Sequence, residues 1–235
     1  MRRRLRTTVS ALLLVATSVA CDGRASGVLV TGPVDGVSVR LLNALTTSPS
    51  LSFVVDAQVA SSAVGFGSAS PYVPVTLGSH RLQAQATNTG TTLVDFTRDL
   101  NSQGAYSLIP APGLGQFGAL FIADNPTAPA GQATLRIVHV AAAPGPVSVY
   151  VTAPTTDLSS ATPVIPLLVF AASSDYAAVM PGTYRVRVTR LGASGTVIVD
   201  SGNLTLASGS VRTLLLTDAP GGGFPTALSI IADAN

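Results

Sequence analysis

Apolar and polar residues alternate with a period of two through most of the chain beyond its first few dozen residues. In Tyr184-Arg185-Val186-Arg187-Val188-Thr189 the tyrosine and both valines share one face, and the arginines and threonine share the other. That is the pattern of a half-buried β-strand. His80-Arg81-Leu82-Gln83-Ala84-Gln85 alternates in the same phase. Turn signals separate such stretches at short intervals, among them Asp35-Gly36, Asn88-Thr89-Gly90, Pro181-Gly182, Ser208-Gly209 and Gly221-Gly222-Gly223. Many short strands at this spacing, with no helical periodicity after residue 20, predict an all-β protein built of antiparallel β-sandwiches, immunoglobulin-like or transthyretin-like in topology.

The pattern changes at the N-terminus. Arg2, Arg3, Arg4 and Arg6 precede an apolar run from Val9 to Ala20. The run is well short of the ~20 residues that a membrane-spanning helix needs, and a small residue closes it, so residues 1–20 read as an export signal peptide. Ser18-Val19-Ala20-Cys21 resembles a lipoprotein signal, with Ser18 where leucine is usual. The lone cysteine, Cys21, is the expected lipid-attachment residue, and an acyl anchor there would hold the protein to a membrane without a spanning helix. The alternative is cleavage by ordinary signal peptidase and plain secretion. Residues 21–35 read as a flexible tether. The expected address is the cell envelope, on the periplasmic or the cell-surface side.

The remainder contains a duplication. Val39-Arg40-Leu41-Leu42-Asn43-Ala44 aligns with Leu135-Arg136-Ile137-Val138-His139-Val140, and Leu51–Val55 aligns with Val147–Val151. Tyr72–Leu82 aligns with Tyr176–Val186 at a larger offset, which places an insertion between Ala153 and Pro166. Both copies close on a similar phrase, Phe121-Ile122-Ala123-Asp124 and Ile230-Ile231-Ala232-Asp233. Two tandem sandwiches are expected, over residues 36–125 and 132–235, joined by a Pro-stiffened linker over 126–131.

Charge then narrows the function. All 13 basic residues are arginine and all 11 acidic residues are aspartate; beyond the signal, nine arginines face the 11 aspartates. The mature chain is slightly acidic despite a sequence pI of 9.0, and no basic run exists to neutralise a nucleic-acid backbone. After Ala20 no apolar stretch approaches membrane-spanning length.

Catalytic chemistry finds few candidates. His80 and His139 are the only histidines, and no Gly-x-Ser-x-Gly elbow accompanies them. The duplication sets His80 opposite Tyr184 and His139 opposite Asn43, which points to structural roles; His139 is expected to bond an adjoining loop. No His-x-x-x-His, Cys-x-x-Cys or EF-hand spacing is present, so no metal and no cofactor are expected. Asp95 with Asp99, four apart on one strand, would stand about 13 Å apart, too far for glycoside hydrolysis. Asp175 with Asp200 is the other carboxylate pair. The chain has no tryptophan, and its five tyrosines fall largely within strand patterns, where core or rim positions are expected.

The opening of the second copy, Leu135 to Pro144 followed by Val147-Ser148-Val149-Tyr150-Val151, resembles a bacterial exported family, domain of unknown function 4397, as does Tyr176 through Val188 with Met180-Pro181-Gly182-Thr183-Tyr184 at its centre. The first copy carries the resemblance more faintly. The family's Ser-Pro-Asp segment is replaced here by Ala141-Ala142-Ala143-Pro144. The resemblance implies a β-sandwich and an envelope location, and no activity. The reading is a non-enzymatic envelope lipoprotein that acts as a binding or structural module, with an envelope protein or polysaccharide as its partner. A carbohydrate- or cell-wall-binding module is the alternative; a hydrolase using His139 or His80 ranks third.

Overall fold

A computed structural model describes residues 36–48, 50–114, 118–124, 126–193 and 195–234. The expected signal peptide, Cys21 and the expected tether lie outside them. The described chain is all-β, with one short 3-10 turn at Leu158–Ser160. In the first half the strands are β1 (Val37–Leu41), β2 (Ser50–Val55), β3 (Gln58–Gly65), β4 (Val73–Val75), β5 (Gly78–Ala86), β6 (Thr92–Leu100), β7 (Gly104–Pro110) and β8 (Ala119–Asp124). They form two sheets, in the orders β4-β1-β7-β8 and β3-β2-β5-β6.

The second half comprises β9 (Ala133–His139), β10 (Val147–Thr152), β11 (Ile165–Leu168), β12 (Ala172–Ser173), β13 (Ala177–Val179), β14 (Gly182–Arg190), β15 (Val197–Leu206), β16 (Val211–Thr217) and β17 (Ala227–Ala234). Its sheets run β12-β9-β16-β17, with β13 also on β9, and β11-β10-β14-β15. The pairing scheme repeats that of the first half, including one parallel pair at the centre of a sheet, β1 with β7 and β9 with β16. The first two strands of each half lie in different sheets, unlike the immunoglobulin order. Of the two expected topologies, the transthyretin-like one is compatible with this.

Alternation explains the layers. Val37, Val39 and Leu41 of β1 point into a core shared with Leu51, Phe53 and Leu82 of the facing sheet. Leu135 and Ile137 of β9 do the same with Val147, Val149, Val186 and Val188. Yet every residue of β1 and β9 is buried. The reason is a third core, in which Leu42 and Ile109 of the first half meet Val138, Val140, Leu215 and Ile231 of the second. The two sandwiches therefore pack inner sheet on inner sheet, giving a stack of four layers.

The insertion of the second half covers the outside of its outer sheet. Asp157 caps the 3-10 turn by accepting from the Ser159 N–H at 2.9 Å. Arg187 Nη2 donates to the Thr156 carbonyl and to Thr152 Oγ1, each at 2.7 Å, and Ser148 Oγ donates to the Pro166 carbonyl at 2.8 Å. These bonds tie the insertion down over a face where Ser148, Tyr150 and Arg187 are buried.

Candidate binding groove and the charged interface beside it

The aligned arginines meet at the join. Arg40 and Arg136 project from the inner faces of β1 and β9; Asp124 ends β8 and Asp233 stands next to last in β17. Each arginine pairs with the aspartate of the other half: Arg40 Nη2 lies 2.7 Å from Asp233 Oδ1, and Arg136 pairs with Asp124. Each aspartate is also held within its own half. Asp124 accepts from Tyr72 Oη at 2.7 Å and Ser107 Oγ at 2.6 Å; Asp233 accepts from Tyr176 Oη at 3.1 Å and Thr213 Oγ1 at 2.6 Å. The arginines donate back through Nε to Ser107 at 2.8 Å and Thr213 at 3.0 Å, and each lies over a tyrosine ring, Tyr72 at 4.5 Å and Tyr176 at 4.7 Å.

The quartet is nearly symmetric about the join, and its four charged side chains are at most 2% exposed. Burial pulls the Arg40 guanidinium down, but Asp124, Asp233 and Tyr72 outweigh it, leaving Arg40 above its ordinary value. Burial raises the Tyr72 and Tyr176 hydroxyls, so both stay protonated as donors.

Beside the quartet the halves differ. Ser70-Pro71-Tyr72 and Ser174-Asp175-Tyr176 occupy equivalent places: Ser70 Oγ accepts from the Leu41 N–H at 2.9 Å and Ser174 Oγ from the Ile137 N–H at 3.0 Å. Gly67 and Ala171 match too, both at positive φ, donating to the Asn43 and His139 carbonyls at 2.8 Å. A methyl at Gly67 would collide with Ser229 Oγ, so the first loop lies hard against β17.

In the second half a trough of about 520 Å³ opens between Val164–Val169 and Ala172–Ala177. Leu167 is 53% exposed, with Val164 and Val169 close to half, and Asp175 is the only charged residue in the lining. On the other side of Ser173–Tyr176 a second, more polar cavity of about 470 Å³ reaches Ile122, Asp124 and Arg136. The trough thus borders the joint between the halves.

The histidines are engaged elsewhere. His80 Nδ1 lies 2.7 Å from Asp56 Oδ2 and Nε2 lies 2.9 Å from the Thr76 carbonyl. Two acceptors on two ring nitrogens fit an imidazolium, and the Asp56 hydrogen bond raises its pKa. The bond to Thr76 repeats that of Tyr184 Oη to the Met180 carbonyl, at 2.7 Å. His139 is fully buried; Nε2 donates to the Gly145 carbonyl at 2.9 Å and Nδ1 accepts from the Ala141 N–H at 3.4 Å. That is a neutral ring, and burial lowers its pKa. Asn43 plays the same part, accepting from the Leu45 N–H at 3.0 Å and donating to the Ser48 carbonyl at 3.3 Å, with a further bond to the Val64 carbonyl at 3.0 Å.

Asp95 is paired with Arg81 on the outer sheet, and Asp200 with Arg185. Asp175, by contrast, lies on the loop between β12 and β13. Tyr72 and Tyr176 belong to the quartet, Tyr150 is buried, and Tyr106 and Tyr184 donate to the Ser102 and Met180 carbonyls. Among the described residues no cluster of His, Cys, Asp and Glu is arranged to hold a metal ion.

The sequence shows no basic run among the arginines, and the quartet was not expected from it. A signal was present: in Val39-Arg40-Leu41-Leu42 and Leu135-Arg136-Ile137-Val138 an arginine interrupts apolar residues on both faces, so it must be buried, and a buried guanidinium needs a carboxylate.

Residues 37–150 match the model of the family described as Domain of unknown function (DUF4397). The match runs from β1 through β10, covering the first sandwich and the first two strands of the second; the sequence resemblance was clearest in the second. No curated protein matches the chain. Among solved structures, the chain is similar to the carbohydrate-binding module CBMbc (family CBM26) from Eubacterium rectale Amy13K, solved in complex with maltoheptaose. The identity is 10% and the TM-score 0.29, over 81% of this chain and 95% of that one.

Proposed function

We propose that this chain is a non-enzymatic, lipid-anchored protein of the bacterial cell envelope, made of two copies of the DUF4397 unit and acting as a binding module. The duplicated strand pairing supports the two-copy reading. The engagement of both rings of the histidine pair, and of Asp95 and Asp200, supports a role without catalysis. Cys21 carries the anchor, and intact mass of the mature protein checks it: the mass of an acylated chain beginning at Cys21 is expected, and an unmodified N-terminus refutes attachment.

The observation that carries the binding assignment is the trough of the second sandwich, where Val164, Leu167 and Val169 face solvent beside Asp175. Exposed apolar side chains gathered in a concavity gain by covering, whereas scattered ones do not. The occupant is an extended apolar segment of another envelope protein with a basic group placed to meet Asp175. A peptide library probed with the mature chain should yield apolar sequences with one Lys or Arg. Leu167→Asp should abolish binding and Asp175→Asn should remove the preference for the basic residue. Retention on peptidoglycan or polysaccharide, lost in Leu167→Asp, would instead assign the trough to a glycan.

A further inference from the structure

The free sheet edges of this molecule are unequal. β4 has three residues and contains Pro74; β11 has four and contains Pro166; β12 and β13 are two and three residues long. β3 and β15 each break register twice against their neighbours. β6 carries Asp95, Arg98 and Asp99, and the Arg98 guanidinium also lies 5.4 Å over Phe121 of β8. Proline, shortness, bulges and charge are the means by which natural sheets discourage lateral pairing.

β8 and β17 carry no proline and no outward charge; β17 is the longer of the two, and its one register break falls at its last residues. It is eight residues long, Ala-Leu-Ser-Ile-Ile-Ala-Asp-Ala, and holds unbroken register with β16 from Thr217↔Ala227 to Arg212↔Ala232. Its one charge, Asp233, turns inward to Arg40. Ile230 at its middle is 41% exposed. β16 is its only strand partner among the described residues.

We propose that β17 pairs antiparallel with the β17 of a second copy of this chain, joining the two inner sheets into one across a twofold axis at Ile230. The sequence is self-complementary in that register. Ile230 meets its own counterpart and Leu228 meets Ala232 on one face; Ser229 meets Ile231 on the other. Like charges are never opposed, because each Asp233 stands opposite Ala227 and remains with its own Arg40. A partner of identical sequence closes the edge as a dimer and leaves no further strand to extend. This inference is independent of the trough, which lies at the opposite edge of the second sandwich.

Sedimentation equilibrium of the mature chain tests it. A monomer–dimer equilibrium is expected, and Ile230→Lys, which opposes two cations at the axis, should weaken it at least about tenfold while leaving the circular dichroism spectrum and melting midpoint unchanged. In a Cys21→Ser background, Ile230→Cys should form an interchain disulfide on mild oxidation and Leu93→Cys, on β6, should not. A chain that stays monomeric at the highest attainable concentration overturns the proposal, as does a dimer indifferent to Ile230→Lys. Crosslinking of Leu93→Cys but not Ile230→Cys, or pairing of β17 with a foreign strand only, overturns it too.

Discussion

Replacing Asp124 by asparagine keeps the volume of the side chain and removes the charge from the middle of the join. The Arg136 side chain, 2% exposed, then has no carboxylate, and the single amide oxygen can face either the guanidinium or the Tyr72 and Ser107 hydroxyls, all of them donors to Asp124, but not both. Tyr72 and Ser107 keep at most one acceptor between them. Breaking one side of a buried ion pair costs about 3–5 kcal/mol, because the remaining charge stays buried without compensation. For a chain of this size that lowers the melting midpoint by about 6–20 °C, at roughly 2–4 °C per kcal/mol. The assay is scanning calorimetry of the chain from residue 21 onward, with Asp95→Asn on the outer surface as the control. The control should melt with the wild type, since its pair with Arg81 is in solvent. Asp233→Asn should cost as much as Asp124→Asn, and the two losses should not add, because Arg40 Nε lies 3.4 Å from Asp124 and links the pairs into one network. If Asp124→Asn loses less than about 1 kcal/mol, the quartet does not bind the halves and the reasoning fails.

Three further outcomes follow from the same geometry. His139→Asn should be tolerated, because Asn43 makes the equivalent bonds in the first half, whereas His139→Ala should cost roughly 1–3 kcal/mol by orphaning the Ala141 N–H and Gly145 carbonyl. The folded pKa of His139 is depressed, so its contribution to stability is present above about pH 6.5 and is lost as pH falls through the folded value. Urea titrations at pH 5 and 8 should show that slope flattened in His139→Asn. His80 works in the opposite sense: Asp56 raises its pKa, so its contribution is complete below about pH 6.5 and disappears as pH rises through the folded value, a dependence that Asp56→Asn should remove. Gly67→Ala should destabilise by about 1–3 kcal/mol through contact with Ser229 and the positive φ, and adding Ser229→Ala should restore only the part due to that oxygen.

Strand identity was legible because alternation needs only neighbouring residues. Tyr184, Val186 and Val188 announce a face whatever they pack against, and the turns at Pro181-Gly182 and Asn88–Gly90 bound the strands locally. The likeness between the two halves was legible for the same reason: Asn43 and His139, aligned in the sequence, each accept from the N–H two residues on. Which face meets which partner was not legible. Arg40 and Asp233 are 193 residues apart, and nothing near either announces the other. Both faces of β1 and β9 are largely apolar, and the second face of each is covered by the other half, so the expected chain of two sandwiches on a linker folds back into a stack. Alternation records that a residue has a side, and a third core is visible only when two such sides meet.

The apolar part of that third core cannot by itself fix how the halves sit, since contacts among leucine, isoleucine and valine are non-directional. Two buried arginines, each reaching across to the carboxylate of the other half, supply direction, because a rotation or a one-residue slip would leave four charges unpaired in a dry interface. A nearly symmetric lock of this kind makes the departures from symmetry informative. The second half carries an insertion, Asp175 where the first has Pro71, and Ala171 where the first has Gly67 pressed onto Ser229. These changes cluster around the trough and make no contribution to the quartet that its twin lacks. Positions that are alike in the two halves hold the stack together. Positions that differ between the halves expose Val164, Leu167 and Val169 beside the Asp175 carboxylate, and the asymmetry of the stack is concentrated there.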